Sequence, residues 1–232
     1  MNGAIAGNIA AVKERIAAAS RRAGRAPEEV RLVAVSKTKP ASAIAEAFAA
    51  GQTLFGENYV QELVGKLAEM DEPVTWHFIG SLQSNKVRQI AGKVAMIHSV
   101  DRLSLATEID RQWGALGQNC DVLIQVNIAQ EATKSGTTTS DAFDLVREVA
   151  KLAHVRVRGL MTMPPFFDDP EGARPYFRQL KELSKQIAVA GIPGVEMKEL
   201  SMGMSGDFEA AIEEGATLVR VGSALFGERI YR

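Results

Sequence analysis

Short apolar runs alternate along this chain with longer segments whose apolar positions return every three or four residues, the pattern of strands alternating with helices. The runs begin near Arg31, Thr53, Trp76, Ala95, Asp121, Val155, Lys198 and Thr217. Between them the helical period predicts helices over about 41–50, 58–69, 84–91, 102–116, 140–152, 172–190 and 207–214, preceded by one over about 3–24. Eight β-α alternations predict an α/β protein, a single (β/α)8 TIM-type barrel with an extra N-terminal helix, spanning 1–232 as one domain. Lys134 to Ser140 and Pro164 to Pro170 read as loops after strands five and six, and neither resembles a domain linker.

Composition narrows the class of protein. The 232 residues are 46% hydrophobic, enough for a large core, and carry a formal charge of -1. No basic stripe or aromatic ladder points to nucleic acid, and no apolar run approaches membrane-spanning length. The alanine-rich start lacks the pattern of a secretory signal, although its basic residues Lys13, Arg15, Arg21 and Arg22 leave an organelle-targeting reading open. The single cysteine, Cys120, cannot form an internal disulfide; it reads as a small core residue, with a reactive thiol as the alternative, and suits a reducing cytoplasm. His77, His98 and His154 show no metal-ligand spacing, so no metal site is expected.

Candidate chemistry gathers where strands end. Arg31-Leu-Val-Ala-Val-Ser-Lys37 brings a lysine to the end of the first strand, on the same face as Val33 and Val35. Apolar surroundings disfavour an ammonium and leave amine to attack an aldehyde; the alternative is a lysine that snorkels into water. Near the other end, Ser201-Met202-Gly203-Met204-Ser205-Gly206-Asp207 and Val221-Gly222-Ser223 form two glycine-serine loops at helix starts, suited to an anion. Such loops also occur as ordinary capped turns. Arg220 interrupts an apolar strand and so needs an acceptor, either a structural carboxylate or a ligand atom.

In a barrel, Lys37, Asn58, Gly80, Met161, Ser201, Gly222 and Ser223 fall at the carboxyl ends of strands, where such folds place their sites. A lysine on strand one, a phosphate cradle on strands seven and eight, and an arginine on strand eight are close neighbours in a closed barrel and together ask for a phosphorylated aldehyde. Pyridoxal 5'-phosphate is the expected cofactor. Asn58 is a candidate partner for its phenolic oxygen, and His77 is either near its ring or a hydrogen-bonded core histidine. Lys134 is either solvated or in contact with an anionic ligand.

The chain resembles the pyridoxal-phosphate homeostasis protein family, also called the proline synthetase co-transcribed family. The resemblance is carried by Val35 to Thr38, Phe55 to Glu62, Trp76 to Lys86, Lys134 to Gly136, Arg158 to Met163, Leu200 to Asp207 and Val219 to Gly227. It implies a barrel related to the amino-terminal domain of alanine racemase, with Lys37 as the Schiff-base lysine. It also implies Arg220 at the pyridine nitrogen and the phosphate around Ser201, Met202, Ser205, Gly222 and Ser223. An arginine there leaves the nitrogen unprotonated and the cofactor a poor electron sink. The expectation is a cytoplasmic, monomeric carrier or buffer of the cofactor that supplies apo-enzymes, with no dedicated catalytic activity. Two other readings stay open: an amino-acid racemase, for which the barrel leaves no second domain and only Tyr59, Tyr176 and Tyr231 as phenols, and a cofactor-free Schiff-base aldolase.

Overall fold

A computed structural model describes residues 4–131 and 134–227, so Tyr231 lies outside the described residues. Eight parallel strands close into a barrel in sequential order: β1 (Arg31–Val35), β2 (Leu54–Glu57), β3 (Thr75–Phe78), β4 (Met96–Val100), β5 (Cys120–Gln125), β6 (Val155–Met161), β7 (Glu199–Ser201) and β8 (Leu218–Val221). Closure is made by β1 against β8, with Leu32 beside Val219 and Ala34 beside Val221. The predicted barrel is therefore the observed one.

Each strand is followed by a helix: α2 (Ala41–Ala49), α3 (Val60–Glu69), α4 (Val87–Ile90), α5 (Leu103–Gly114), α6 (Thr139–Val149), α7 (Arg174–Val189), α8 (Phe208–Glu213) and α9 (Ser223–Phe226). The predicted helix over 84–91 is shorter and opens as a 3-10 turn at Ser84–Lys86. The extra helix, α1 (Ala4–Arg22), buries Ile9, Val12, Ile16 and Ala19 along one stripe against α2, α8 and α9. Arg15 and Arg22 reach Glu209 and Glu213 on α8, holding that helix from outside.

Strand parity divides the core into two layers. Leu32 and Ala34 point outward to the helices, while Val33 points into the barrel with Met96, Leu123, Met161 and Leu218. That apolar plug fills part of the barrel's interior. Cys120 is buried at the start of β5, and burial pushes its thiol well above the ordinary range. Among the described residues, no helix is long and apolar enough to cross a membrane, and no cluster of side chains suits a metal ion.

Candidate functional site

A cavity of about 320 Å3 opens where β1, β2, β3, β6, β7 and β8 end. Lys37, Asn58, Ser205, Arg220, Gly222 and Ser223 all line it, so six of the ten residues expected from the sequence meet there. The wall opposite is apolar, made by Met163, Pro165, Phe166 and Phe167 before α7 and by Met204 before α8.

The amine side begins where β1 runs out. Val35 and Lys37 line the cavity two residues apart, continuing the inward face that Val33 starts. The residues flanking Lys37 are held closely. Ser36 donates its hydroxyl to Glu57 at 2.7 Å and its N–H to the carbonyl of Gly56, while its own carbonyl accepts from Lys66 at 2.8 Å. Thr38 adopts a left-handed φ of 64° and donates its N–H to Glu62 at 2.7 Å. A threonine rarely adopts that conformation, and the carboxylate of Glu62 is what offsets it. Lys39 also lines the cavity, with its amine donating to the carbonyls of Phe226 and Gly227.

Asn58 follows β2 and presses its backbone against β3. A side chain at Gly80 would put its Cβ 2.1 Å from the carbonyl oxygen of Asn58, so only glycine admits this approach. The Oδ1 of Asn58 is buried with no hydrogen-bond partner among the described residues. A buried amide oxygen in that condition marks a place where a donor is missing.

The anion side is made of small residues and backbone. Gly203 takes a left-handed φ of 91° and sits with its Cα against Phe208 and Ala211, turning the chain from β7 toward α8. The following Ser205 accepts from the N–H groups of Gly222 and Ala224 at 3.3 and 3.4 Å. Two amides thus converge on one oxygen at the start of α9, as they would on an oxygen of a phosphate. Asp207 receives the N–H of Met204 at 2.6 Å and closes the loop; burial pushes its carboxyl up.

Four expected site residues lie elsewhere, and one chain of hydrogen bonds accounts for two of them. Arg220 is buried at the head of the barrel, donating to Ser201 Oγ at 2.6 Å and to the carbonyl of Thr162 at 2.9 Å. Ser201 also meets Nδ1 of His98, and Nε2 of His98 meets Nδ1 of His77, both at 2.9 Å. Guanidinium only donates, so Ser201 accepts from it, and its hydroxyl also shares a hydrogen bond with His98, whose other ring nitrogen shares one with His77. Both histidines are held neutral by burial, His77 down to about 3 and His98 well below its ordinary value. Ser201 thus holds Arg220 and, like His77, does not line the cavity; His77 is buried and hydrogen-bonded to His98. Met202 is buried among the core side chains, and its N–H goes to Leu218. Met161 belongs to the apolar plug.

The acceptor that Arg220 requires turns out to be neutral. Its hydrogen bonds go to a hydroxyl and a carbonyl, while Asp207 acts on it only through space, and burial brings the guanidinium down to about 10. It remains a cation at neutral pH. Lys134 donates to the carbonyl of Pro164 and pairs with Glu131, away from the cavity lining.

Sequence reasoning missed His98, Thr162, Glu57 and Lys66. Glu62 and Lys66, four apart on α3, carry the usual signature of a solvated surface pair, yet Lys66 is only 6% exposed and Glu57 0%. His98 sits in the apolar run of β4 beside Ser99, and an ionisable ring in a doubly buried strand is itself the signal.

A family model described as the alanine racemase N-terminal domain matches residues 7–230. The pyridoxal phosphate homeostasis protein of Escherichia coli strain K12 is 48% identical over 236 aligned residues, covering 98% of this chain and 97% of its own. That of Aquifex aeolicus is 46% identical over 226 residues, covering 96% and 97%. Among solved structures, PipY of Synechococcus elongatus PCC7942 with PLP bound superposes with a TM-score of 0.84 at 37% identity, covering 96% of this chain and 100% of PipY. The chain belongs to the pyridoxal phosphate homeostasis protein family, built on the barrel of the alanine racemase N-terminal domain.

Proposed function

We propose that this protein binds pyridoxal 5'-phosphate on Lys37 and acts as a carrier or buffer of it. The observation that carries the reading is the meeting of a strand-end lysine, a two-amide anion cradle and a buried arginine in one cavity. The cavity's donor set fits the group. Ser205, Ser223 and the N–H groups of Gly222 and Ala224 suit a phosphate, and Asn58 offers a hydrogen-bonding amide for the phenolic oxygen. Bound there, the cofactor supplies an aldehyde that condenses reversibly with the Lys37 amine as water leaves.

Arg220 favours storage over catalysis. At the pyridine nitrogen, where the family resemblance puts it, its guanidinium would donate a hydrogen bond without surrendering its proton, so that electron withdrawal through the ring would stay weak. The chain Ser201, His98 and His77 keeps it aimed. A protein that holds the cofactor without using it suits delivery to apo-enzymes. We read it as a cytoplasmic monomer with no dedicated reaction of its own.

The test is borohydride reduction of the protein loaded with pyridoxal 5'-phosphate, followed by peptide mass mapping. The stable adduct is expected on Lys37, and Lys37→Ala is expected to lose the visible absorbance band. An adduct mainly on Lys39 or Lys134, or saturable racemisation of an amino acid by the purified protein, overturns the reading.

A further inference from the structure

We propose that the buried ion pair of Glu57 and Lys66, together with Glu62, is a positioning device that sets Lys37 and Asn58 at the cavity. The inference rests on the reading of Lys37 as the cofactor's lysine. Lys66 directs its ammonium to three oxygens: the carbonyl of Ser36, the carboxylate of Glu57, and that of Glu62 at 3.3 Å. Those are as many as its hydrogens. Each of these partners leads to a residue of the site. Glu57 accepts from the Ser36 hydroxyl on one oxygen and from the N–H of Asn58 at 3.2 Å on the other. Glu62 accepts from the N–H of Thr38.

Lys37 consequently lies between two residues whose backbones are tied to one cluster of charge. Its neighbour Ser36 is 0% exposed and has N–H, hydroxyl and carbonyl all engaged; its neighbour Thr38 is kept left-handed. Stability alone does not account for the arrangement. Burial pushes the Glu57 carboxyl up, against the pull of Lys66 and Ser36. Apolar side chains of similar volume commonly replace a buried pair with no loss of stability. What they cannot do is hold a serine carbonyl, an asparagine N–H and a left-handed threonine at once.

A lysine side chain is long and flexible, so its reach to an aldehyde depends on where its Cα is held. Small misplacements of a reacting group cost large factors in bond formation, whereas non-covalent binding on the far side of the cavity is untouched. This separates positioning from a merely structural role.

The experiment uses the full chain and two ligands, pyridoxal 5'-phosphate and deoxypyridoxine 5'-phosphate, which lacks the aldehyde. The double variant Glu57→Leu with Lys66→Met is compared with wild type by titration, by borohydride trapping with mass mapping, and by thermal melting. The expected result is a melting temperature near that of wild type, an affinity for the deoxy ligand lowered only by the few-fold that one displaced Asn58 contact costs, and covalent capture at Lys37 weakened by a further factor of about 10 to 100. Should the double variant not fold, Glu62→Ala decides by the same two ligands, because its side chain is 32% exposed and its loss frees only Thr38 and one contact of Lys66. Wild-type capture in the folded variant overturns the proposal, as does equal weakening of both ligands. Failure of wild type itself to give a Lys37 adduct overturns the proposed function instead.

Discussion

The two sides of the cavity are built from opposite materials. At β1 and β2 the chain buries full charges, on Glu57 and Lys66, and keeps a threonine left-handed. At β7 and β8 the left-handed position is a glycine, Gly203, and the anion cradle itself is made of hydroxyls and backbone amides, with the charges of Arg220 and Asp207 set beside it. The difference follows from what each side has to hold. An anion is gripped by fixed backbone N–H groups, which need only small residues to come close. An amine on a flexible side chain has to be aimed from below, which takes side chains that grip its neighbours.

Acid should separate the sides most strongly. His77 and His98 titrate far below their ordinary value of 6.5 in the folded protein, so they are neutral there while the unfolded chain takes up protons. Stability is then fully present above pH 6.5 and falls as pH drops toward about 3, the value to which His77 is lowered. Each histidine contributes a slope of up to about 1.4 kcal/mol per pH unit. Urea unfolding at pH 7, 6 and 5 is expected to show this slope in wild type and about half of it in His77→Gln. A profile flat across that range would mean that the histidine chain is not neutral in the folded state.

The next largest effect tests the close approach behind Asn58. In Gly80→Ala the new Cβ meets a backbone oxygen at 2.1 Å, with no flexible atom to yield. A loss of about 3 kcal/mol in unfolding free energy is expected, at the upper end of overpacking costs. An unchanged melting curve would show that β2 and β3 tolerate separation at this point.

On the anion side, Ser205→Ala with Ser223→Ala removes hydroxyls lining the cavity. Each hydrogen bond to a charged group is worth about 1.5–3 kcal/mol, so loss of two should lower the affinity for deoxypyridoxine 5'-phosphate by about 100-fold or more in titration. The same titration of Ser201→Ala should change less, because Ser201 touches Arg220 and His98. Reversed sensitivities would return Ser201 to the cradle. The smallest effect is expected from Thr38→Gly. Relief of the left-handed conformation and the added freedom of the unfolded chain oppose each other, leaving a stability change within about 1 kcal/mol. A larger loss would mean that the Thr38 side chain does more than its backbone.

Much of this molecule is legible before folding. The alternation of apolar runs with helical periods leads to eight strands, and the parity of Val33, Val35 and Lys37 puts the lysine on the inward face. Glycines and serines after β7 and β8 mark the cradle, because close approach to an oxygen demands small residues wherever the chain turns. Ser201 and Ser205 show where that reading stops. Both are serines in one loop, yet one lies below Arg220 inside the barrel and the other faces the amides of Gly222 and Ala224.

What the sequence alone determines is local: the period of each element, the face each side chain shares with its neighbours, and the order of strands that a short-looped β-α repeat imposes. Barrel closure decided the rest. It brought β3, β4, β7 and β8 around one axis, joining His77, His98, Ser201 and Arg220, residues up to 143 positions apart, into a single hydrogen-bonded chain. It also laid α3 over the end of β1, turning Lys66 from an apparent surface charge into the buried partner of Glu57. The physical reason is that charge and hydrogen bonding act across space with strengths set by burial, and burial belongs to the closed barrel rather than to any segment of it.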